Sequence, residues 1–192
     1  MSTAAPAILA ATPDRWPDVV ELLGGDGDKG CWCQAWRGRD AIAKATGESR
    51  PETLQRQMRG EPPPGYLAYL DGVPVGWAGV SVRTMTPRLL GSRTIPALDD
   101  QPVWSIGCIR VRPGYRRRGI AAALLAGVVA AARQAGAPGV EAYPIDTGGR
   151  RVDTVLAFVG IASMFDAAGF RRVMETSAVS AGLPRILVRL EF

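Results

Sequence analysis

The chain has 192 residues, with 23 lysines and arginines against 18 aspartates and glutamates, which gives a formal net charge of +5. This length suits one domain, and a hydrophobic content of 47% is enough to bury a core, which excludes a wholly disordered chain. The sequence contains no histidine, which excludes Ser-His-Asp and Cys-His nucleophile pairs, imidazole general bases and metal sites that need imidazole ligands.

The three cysteines, Cys31, Cys33 and Cys108, are odd in number and sparse, which indicates reduced thiols in a reducing compartment. Their spacing is poor for metal coordination, so we expect no metal site. Residues 1–10 lack the basic segment of a signal peptide, and the longest apolar run, residues 120–132, is too short to span a bilayer. The sequence therefore predicts a soluble, cytoplasmic protein.

The N-terminal third of the chain predicts two helices. Thr12 has the character of a helix cap and predicts a helix over residues 13–23, and Ser49 likewise predicts a helix over residues 51–59. Between these helices, the aromatic-rich segment 31–36 is too short to classify. Four tryptophans of the N-terminal half either line a binding pocket or pack in the core: Trp16, Trp32, Trp36 and Trp77.

From residue 65 onward the hydrophobic pattern becomes that of strands and helices in alternation. Strands over residues 66–70 and 75–82, joined by Asp71-Gly72, predict a hairpin, and residues 83–101 predict a loop long enough to be functional. Further strands are predicted over residues 103–111, 140–143, 170–177 and 185–192, and helices over residues 119–135 and 159–168. This order indicates one mixed α/β domain.

The chemically informative segment joins the strand at 103–111 to the helix at 119–135. Five arginines lie among the nine residues from 110 to 118, and Gly119 follows them. The first amides of a helix have no intrahelical partners and bind phosphate readily, and a glycine lets an anion approach the backbone. The same pattern also fits an ordinary strand–turn–helix with a solvated basic turn, so both interpretations stay open at this point.

The spacing Arg116-x-x-Gly119-x-Ala121, placed directly after a strand, resembles the acyl-CoA-binding motif of the GNAT acetyltransferase superfamily, commonly written Gln/Arg-x-x-Gly-x-Gly/Ala. Residues 163–170, which end in Gly-Phe, resemble the later GNAT helix that leads into the closing strands. The resemblance covers about residues 66–192 in element order. It implies an α/β (α+β) fold with a single mixed, mostly antiparallel sheet, splayed between two central strands and flanked by helices.

The resemblance also implies a single domain, residues 1–192, with two functional regions. Residues 1–64 would form a helical acceptor-side region, and residues 65–192 a core that binds acetyl-CoA as cosubstrate, without a metal. The strand end would pair with the pantetheine arm, the amides and arginines of the turn would hold the diphosphate, and an aromatic ring would lie beside the thiol. The implied cofactor-binding residues are Ile109, Arg110, Val111, Arg116, Arg117, Arg118, Gly119, Ile120, Ala121, Ala122 and Phe165.

The catalytic groups are less well defined. Many family members carry tyrosine at the position of Phe165 as the acid that protonates the departing thiolate, and phenylalanine cannot do this; Ser163, Tyr143 or solvent would have to replace it. Transfer also needs a group that takes a proton from the amine. Glu141 and Tyr143 share one face of a short strand, and Glu141 is either this base or an ordinary solvated glutamate. Weaker candidates lie in loops: Asp99, Asp100 and Asp146.

These residues predict an acyl-CoA-dependent N-acyltransferase that passes acetyl to a primary amine by direct attack, with the acceptor undefined. The alternative is a non-catalytic acyl-CoA-binding protein of the same fold. A nucleic-acid module is disfavoured because the arginine cluster has no second basic cluster and no aromatic platform beside it. We expect no nucleic-acid or membrane partner, and exposed closing strands would suit a homodimer.

Overall fold

The computed structural model describes residues 5–38, 40–152 and 157–192. Its strands are β1 (Ala7–Ala10), β2 (Gly65–Leu70), β3 (Val73–Val82), β4 (Trp104–Val111), β5 (Gly139–Ala142), β6 (Arg171–Ser180) and β7 (Leu183–Glu191). Its α-helices are α1 (Trp16–Leu23), α2 (Gln34–Arg37), α3 (Ala41–Thr46), α4 (Arg50–Gln57), α5 (Pro87–Leu90), α6 (Ile120–Gln134) and α7 (Ala162–Ala167). Short 3-10 helices cover Pro13–Arg15, Gly24–Lys29 and Arg83–Met85. The strands form one sheet in the order β1-β2-β3-β4-β5-β7-β6.

The sheet is mixed and splayed at its centre, as the sequence predicts. β4 and β5 are parallel, and the other neighbouring strands are antiparallel. β4 pairs with β3 along its whole length, from Trp104 to Val111. It pairs with β5 only from Trp104 to Ile106. The two central strands therefore separate after Ile106, and the last five residues of β4 have no β5 neighbour.

A β-bulge lies where β4 and β5 separate. Gly79 pairs with Cys108 and Val80 pairs with Ile106, so Gly107 is an extra residue in β4. A bulge bends its strand and increases the local twist. The second half of β4 is therefore turned away from the line that β5 follows.

The sheet has a hydrophobic core on each face. On one face, α6 buries Ile120, Leu124 and Val128 among the apolar residues of the central strands. On the other face, residues of α1 and α4 pack with Trp32 and Trp77. Among the described residues, no helix is both long enough and apolar enough to cross a membrane.

Most local signals in the sequence give the expected structure. Asp71 and Gly72 have φ values of 51° and 77°, as a tight hairpin turn requires. Ser49 caps α4 through a capping box with Glu52. The predicted N-terminal helix begins as a 3-10 turn at Pro13 and continues as α1, although Thr12 makes no side-chain cap.

The structure also differs from the sequence-based expectation. The N-terminal region contains a strand, because β1 pairs with β2, and two short helices, α2 and α3, were not predicted. The predicted loop 83–101 contains a 3-10 turn and α5. α7 begins only at Ala162, because Gly160 has φ 95° and interrupts the predicted helix. Residues 1–4 of the segment that we expect not to be a signal peptide lie outside the described ranges.

The contact between β1 and α6 gives a first prediction. A Cβ atom on Gly127 would lie 2.5 Å from Cγ2 and 2.9 Å from Cβ of Ile8. Replacing glycine by alanine inside a helix usually stabilises it by about 1 kcal/mol, but overpacking of this kind costs about 1–3 kcal/mol. We expect Gly127→Ala to lower the free energy of unfolding measured in urea.

The control is Ile8→Ala, which removes Cγ1 and Cγ2 of Ile8 and leaves only its Cβ atom near the new methyl group. In this background Gly127→Ala should cost less stability than it does in the original chain, because two of the three close contacts are gone. A Gly127→Ala protein that is more stable than the original chain would show that β1 does not pack here.

Candidate functional site

The turn between β4 and α6 exposes unbonded backbone amides. Arg117 and Gly119 have φ values of 61° and 75°, so the chain reverses tightly before the helix. The first helical hydrogen bond runs from the Ala123 amide to the Gly119 carbonyl, at 2.9 Å. In the described chain, no side chain caps this helix, and no group outside it accepts from the amides of residues 119–122. These donors and the helix dipole form an anion-binding arrangement.

The side chains of the turn add positive charge that the protein does not neutralise. Arg116, Arg117 and Arg118 are exposed, and within the described ranges no carboxylate lies within ion-pair distance of them. Arg118 only stacks on the ring of Tyr115, 5.4 Å from its centroid. A Cβ atom on Gly119 would meet nothing within 4 Å. The turn therefore offers both space and charge to a phosphate group.

The open edge of β4 is partly occupied. The Arg112 amide donates to the Val75 carbonyl of β3 at 2.8 Å. Because backbone groups alternate along a strand, those of Arg110 also face β3, and those of Ile109 and Val111 face the edge that β5 has left. The Ile109 amide donates to the Phe158 carbonyl at 2.7 Å. Residues 109–111 were the predicted backbone partners of the pantetheine arm. Of these, Arg110 has its backbone groups directed toward β3, and the Ile109 amide already has a hydrogen-bond acceptor.

Glu141 lies in a buried polar cluster on β5. Its Oε1 atom accepts from Nη1 of Arg83 at 2.8 Å and from the hydroxyl of Ser105 at 3.0 Å. Its Oε2 atom accepts from Nη2 of Arg189 at 3.2 Å. The Tyr143 hydroxyl also donates to Glu141 and accepts from Arg83. The Glu141 carboxylate is fully buried, and both arginines are buried around it.

This environment is that of a structural ion pair. Charged groups in a protein interior are normally paired and hydrogen-bonded, as this carboxylate is with two guanidinium groups. Burial and the charge of Glu141 raise the pKa of Tyr143 far above its usual range, so the phenol stays protonated. The geometry therefore favours Glu141 as a positioning group for the strands over Glu141 as a base, and the Tyr143 hydroxyl is bound to it as a hydrogen-bond donor.

Phe165 and the remaining candidate acids and bases lie apart from one another. Phe165 is fully buried, with its ring in a T-shaped contact with Phe170 at 5.2 Å, so it is a core residue. Asp146 is paired with Arg172 at 2.9 Å, and Asp99 is paired with Arg189. Ser163 and Asp100 are exposed, on α7 and in the loop before β4.

A small cavity adjoins the bulge, on the face opposite α6. Its lining residues are Cys33, Trp36, Arg37, Gly79, Ser81 and Gly107. Two glycines form its floor: a Cβ atom on Gly107 would lie 3.1 Å from Cδ1 of Trp36, and one on Gly79 would lie 2.6 Å from Sγ of Cys33. Because the bulge is also the point where β5 departs, the cavity and the open edge meet at one position of β4.

Sequence reasoning missed most of this cavity. Of the four tryptophans, Trp36 lines it, whereas Trp32 and Trp77 are core residues and Trp16 stacks on Trp32 at 5.6 Å. Glycines inside predicted strands were the available signal, since such glycines mark bulges or close approach of other groups. The cluster of cysteine and aromatic residues at 31–36 was the second signal.

The comparisons with known proteins agree with this geometry. Residues 26–151 match the model of the acetyltransferase (GNAT) family. The chain belongs to this family. The match includes the arginine turn, the open edge of β4, the cavity and Glu141.

Solved GNAT structures share the fold over nearly the whole chain. An acetyltransferase of the GNAT family from Bacillus cereus is 14% identical, with a TM-score of 0.55 and coverage of 98% of each chain. A protein from Corynebacterium glutamicum, described as histone acetyltransferase HPA2 and related acetyltransferase, is 18% identical, with a TM-score of 0.57 and coverage of 97% and 96%. The NatC complex bound to Gag peptide and CoA gives 11% identity, a TM-score of 0.57 and coverage of 98% and 99%. No curated protein sequence matches the chain significantly.

The buried cluster of this GNAT domain gives a second prediction. Glu141→Gln removes the carboxylate from two buried guanidinium groups. Of these, Arg189 keeps Asp99 and Arg83 keeps no anion among the described residues, and breaking such a buried pair costs about 3–5 kcal/mol. We expect the free energy of unfolding in urea to fall by about this amount. Glu175→Gln, on an exposed position of β6, is the matched control and should change it by less than about 0.5 kcal/mol. Equal stability of the two variants would contradict the structural role of Glu141.

Proposed function

We propose that this chain is an acyl-CoA-dependent N-acyltransferase that transfers acetyl from acetyl-CoA to a primary amine. The observation that carries the proposal is the start of α6 at Gly119, where amides without acceptors and three arginines without carboxylate partners among the described residues adjoin an open strand edge. Backbone amides and guanidinium groups both bind phosphate oxygens strongly. The NatC complex, which shares this fold, is bound to CoA, and this supports the same ligand here.

The residues present fit the cosubstrate as follows. The amides of residues 117–122 and the side chains of Arg116, Arg117 and Arg118 would hold the diphosphate. The backbone of Val111, and of Ile109 once the hydrogen bond to Phe158 is replaced, would pair with the pantetheine arm. The thioester supplies an activated acyl group when bound, and Phe165 would be reached only if the chain beside it moves.

The cavity at the bulge is our candidate entrance for the amine. It lies on residues of the N-terminal region, Cys33 and Trp36, and on the strands beside the splay. This supports the division into an acceptor side, residues 1–64, and a cosubstrate core, residues 65–192. In the proposed direct attack, the amine nitrogen bonds to the acyl carbon, the carbon–sulfur bond breaks, and the thiolate leaves.

The protons of this reaction are assigned to solvent. The residues that line the cavity include no carboxylate, and Glu141 is enclosed by arginines. A thiolate whose conjugate acid has a pKa near ~8.5 is a tolerable leaving group without a donor. The missing general acid would slow the reaction by about 10²–10⁴-fold without abolishing it.

A second candidate function is a non-catalytic acyl-CoA-binding protein. The phenylalanine at position 165 and the burial of Glu141 and Tyr143 favour it, because no acid or base then faces the acyl group. Such a protein would bind acetyl-CoA and release no thiol from it, so the activity experiment below separates the two functions.

We also propose where and with what the protein acts. Its three free cysteines support a reducing compartment, the cytoplasm. A homodimer is supported by β6, which is the outermost strand of the sheet and exposes Val173 and Val179. The proposed partners are then acetyl-CoA, an amine acceptor whose identity stays open, and a second copy of the chain, with no nucleic acid or membrane.

Thiol release from acetyl-CoA with a panel of primary amines tests the activity. Since we assign no base to the protein, kcat/KM should rise about tenfold per pH unit below the pKa of the amine. Reactions without amine control for hydrolysis. A plateau that begins near neutral pH would assign the proton to a protein group, and the absence of release at every pH would leave only the binding function.

Calorimetric titration with CoA tests the turn. The double variant Arg116→Ala, Arg117→Ala removes two uncompensated charges, and we expect CoA to bind about 10–100-fold more weakly. Arg59→Ala, at an exposed arginine outside the turn, is the control and should bind as the original chain does.

Pantetheine, which carries no phosphate, should be unaffected by the double variant. If the double variant also loses affinity for pantetheine, the substitutions have disturbed the fold. If the original chain does not bind CoA, the proposed site is refuted.

A further inference from the structure

Two cysteines at the cavity have no part in the proposed transfer. Cys33 lies just before α2, and both it and Trp32 have positive φ, 56° and 45°. Such values are uncommon for residues with a side chain and cost free energy. They direct the Cys33 thiol onto Gly79 of β3, where a Cβ atom would lie 2.6 Å from the sulfur.

The neighbours of the Cys33 sulfur are hydrogen-bond donors. The indole Nε1 of Trp77 donates to Sγ at 2.8 Å. Arg37 donates to the Cys33 carbonyl at 3.1 Å and is anchored on the carbonyls of Pro64 and Val80. An indole can donate but not accept, so Trp77 stabilises a thiolate better than a thiol, and the positive charge of Arg37 nearby acts in the same direction.

Cys108, on β4, lies beside the same residue, Gly79. It is the register partner of Gly79 in β4, and its Cβ atom lies 3.5 Å from where a Gly79 Cβ would be. A hydrogen bond with Cys108 is the largest cause that lowers the pKa of Cys33 to about 7, and the positive charge of Arg37 adds to it, although burial opposes them. The same bond and burial raise the pKa of Cys108. Of the two thiols, Cys33 therefore loses its proton more readily than Cys108.

We propose that Cys33 and Cys108 are a peroxide-sensitive pair that closes to a disulfide over Gly79, at the edge of the cavity. The Cys33 thiolate attacks the O–O bond of hydrogen peroxide, which gives a sulfenic acid and, with one proton, the first water. The Cys108 sulfur then attacks the sulfenic sulfur, which forms the S–S bond and releases the second water. Two thiols are oxidised and one peroxide is reduced to two waters, so no further reactant is needed.

The bridge would change the site beside the bulge of β4. Cys33 is a wall of the cavity, and Cys108 directly precedes Ile109 on the open edge of β4. A covalent link would tie the segment before α2 to β4 and close the amine entrance. This consequence rests on the proposed function, whereas formation of the disulfide does not.

Cys31 provides an internal control because it is the exposed cysteine. The reduced protein is treated with hydrogen peroxide, digested without reduction and analysed by mass spectrometry. In the original chain and in Cys31→Ser we expect an intramolecular Cys33–Cys108 link that dithiothreitol reverses. In Cys108→Ser, dimedone should trap a sulfenic acid on Cys33, and in Cys33→Ser neither product should form.

Competitive alkylation of the original chain avoids any dependence on variants that fold poorly. At pH 7, limiting iodoacetamide should label Cys33 faster than Cys31. Faster labelling of Cys31, links that involve Cys31, or two unlinked oxidised cysteines would each overturn the proposal.

If amine acylation is found, oxidation should reduce its rate at least about tenfold and dithiothreitol should restore it. A disulfide that forms in a protein without activity would refute the transferase and leave the proposal for the thiol pair intact.

Discussion

The site depends on one constraint, the early end of the pairing between β4 and β5. The two strands separate after Ile106, while β3 continues to hold β4 as far as Val111. A strand that is paired on one side only keeps a firm geometry and still offers backbone groups to a ligand. The extra residue Gly107 bends β4 at the same point, so the open edge and the small cavity arise from one break in the ladder.

The opposite half of the splay is kept closed by buried charge. The carboxylate of Glu141 on β5 accepts hydrogen bonds from three side chains: Arg83, directly after β3, Ser105 of β4 and Arg189 of β7. Each of these polar groups would be unfavourable in the core alone, and their mutual hydrogen bonds compensate for the loss of water. Because four parts of the sheet meet at one carboxylate, the strands stay together on this side and can separate only toward the arginine turn.

Features that depend on a few neighbouring residues could be predicted from the sequence. The hairpin at Asp71-Gly72 and the cap at Ser49 are decided by local φ values and local hydrogen bonds, and the structure has both. The family and the splayed sheet also followed from a local pattern, the spacing from Arg116 to Ala121 after a strand. The order of edge strands, the place of β1 and the role of the segment before α2 could not be derived in this way.

The sequence by itself determined the chemistry available to this protein: no imidazole, a basic helix start at Gly119, and a phenylalanine without a proton to donate at position 165. Only the tertiary structure decided which of these groups meet. The alternation of side chains along β5 places Glu141 on one face of the strand. Whether that face is exposed to water or packed against two arginines depends on Arg83 and Arg189, which lie 58 and 48 positions away in the sequence. The cavity likewise joins residues 33–37 to two distant glycines. Such contacts leave no local pattern, because they arise from the packing of whole elements and not from the preferences of neighbouring residues.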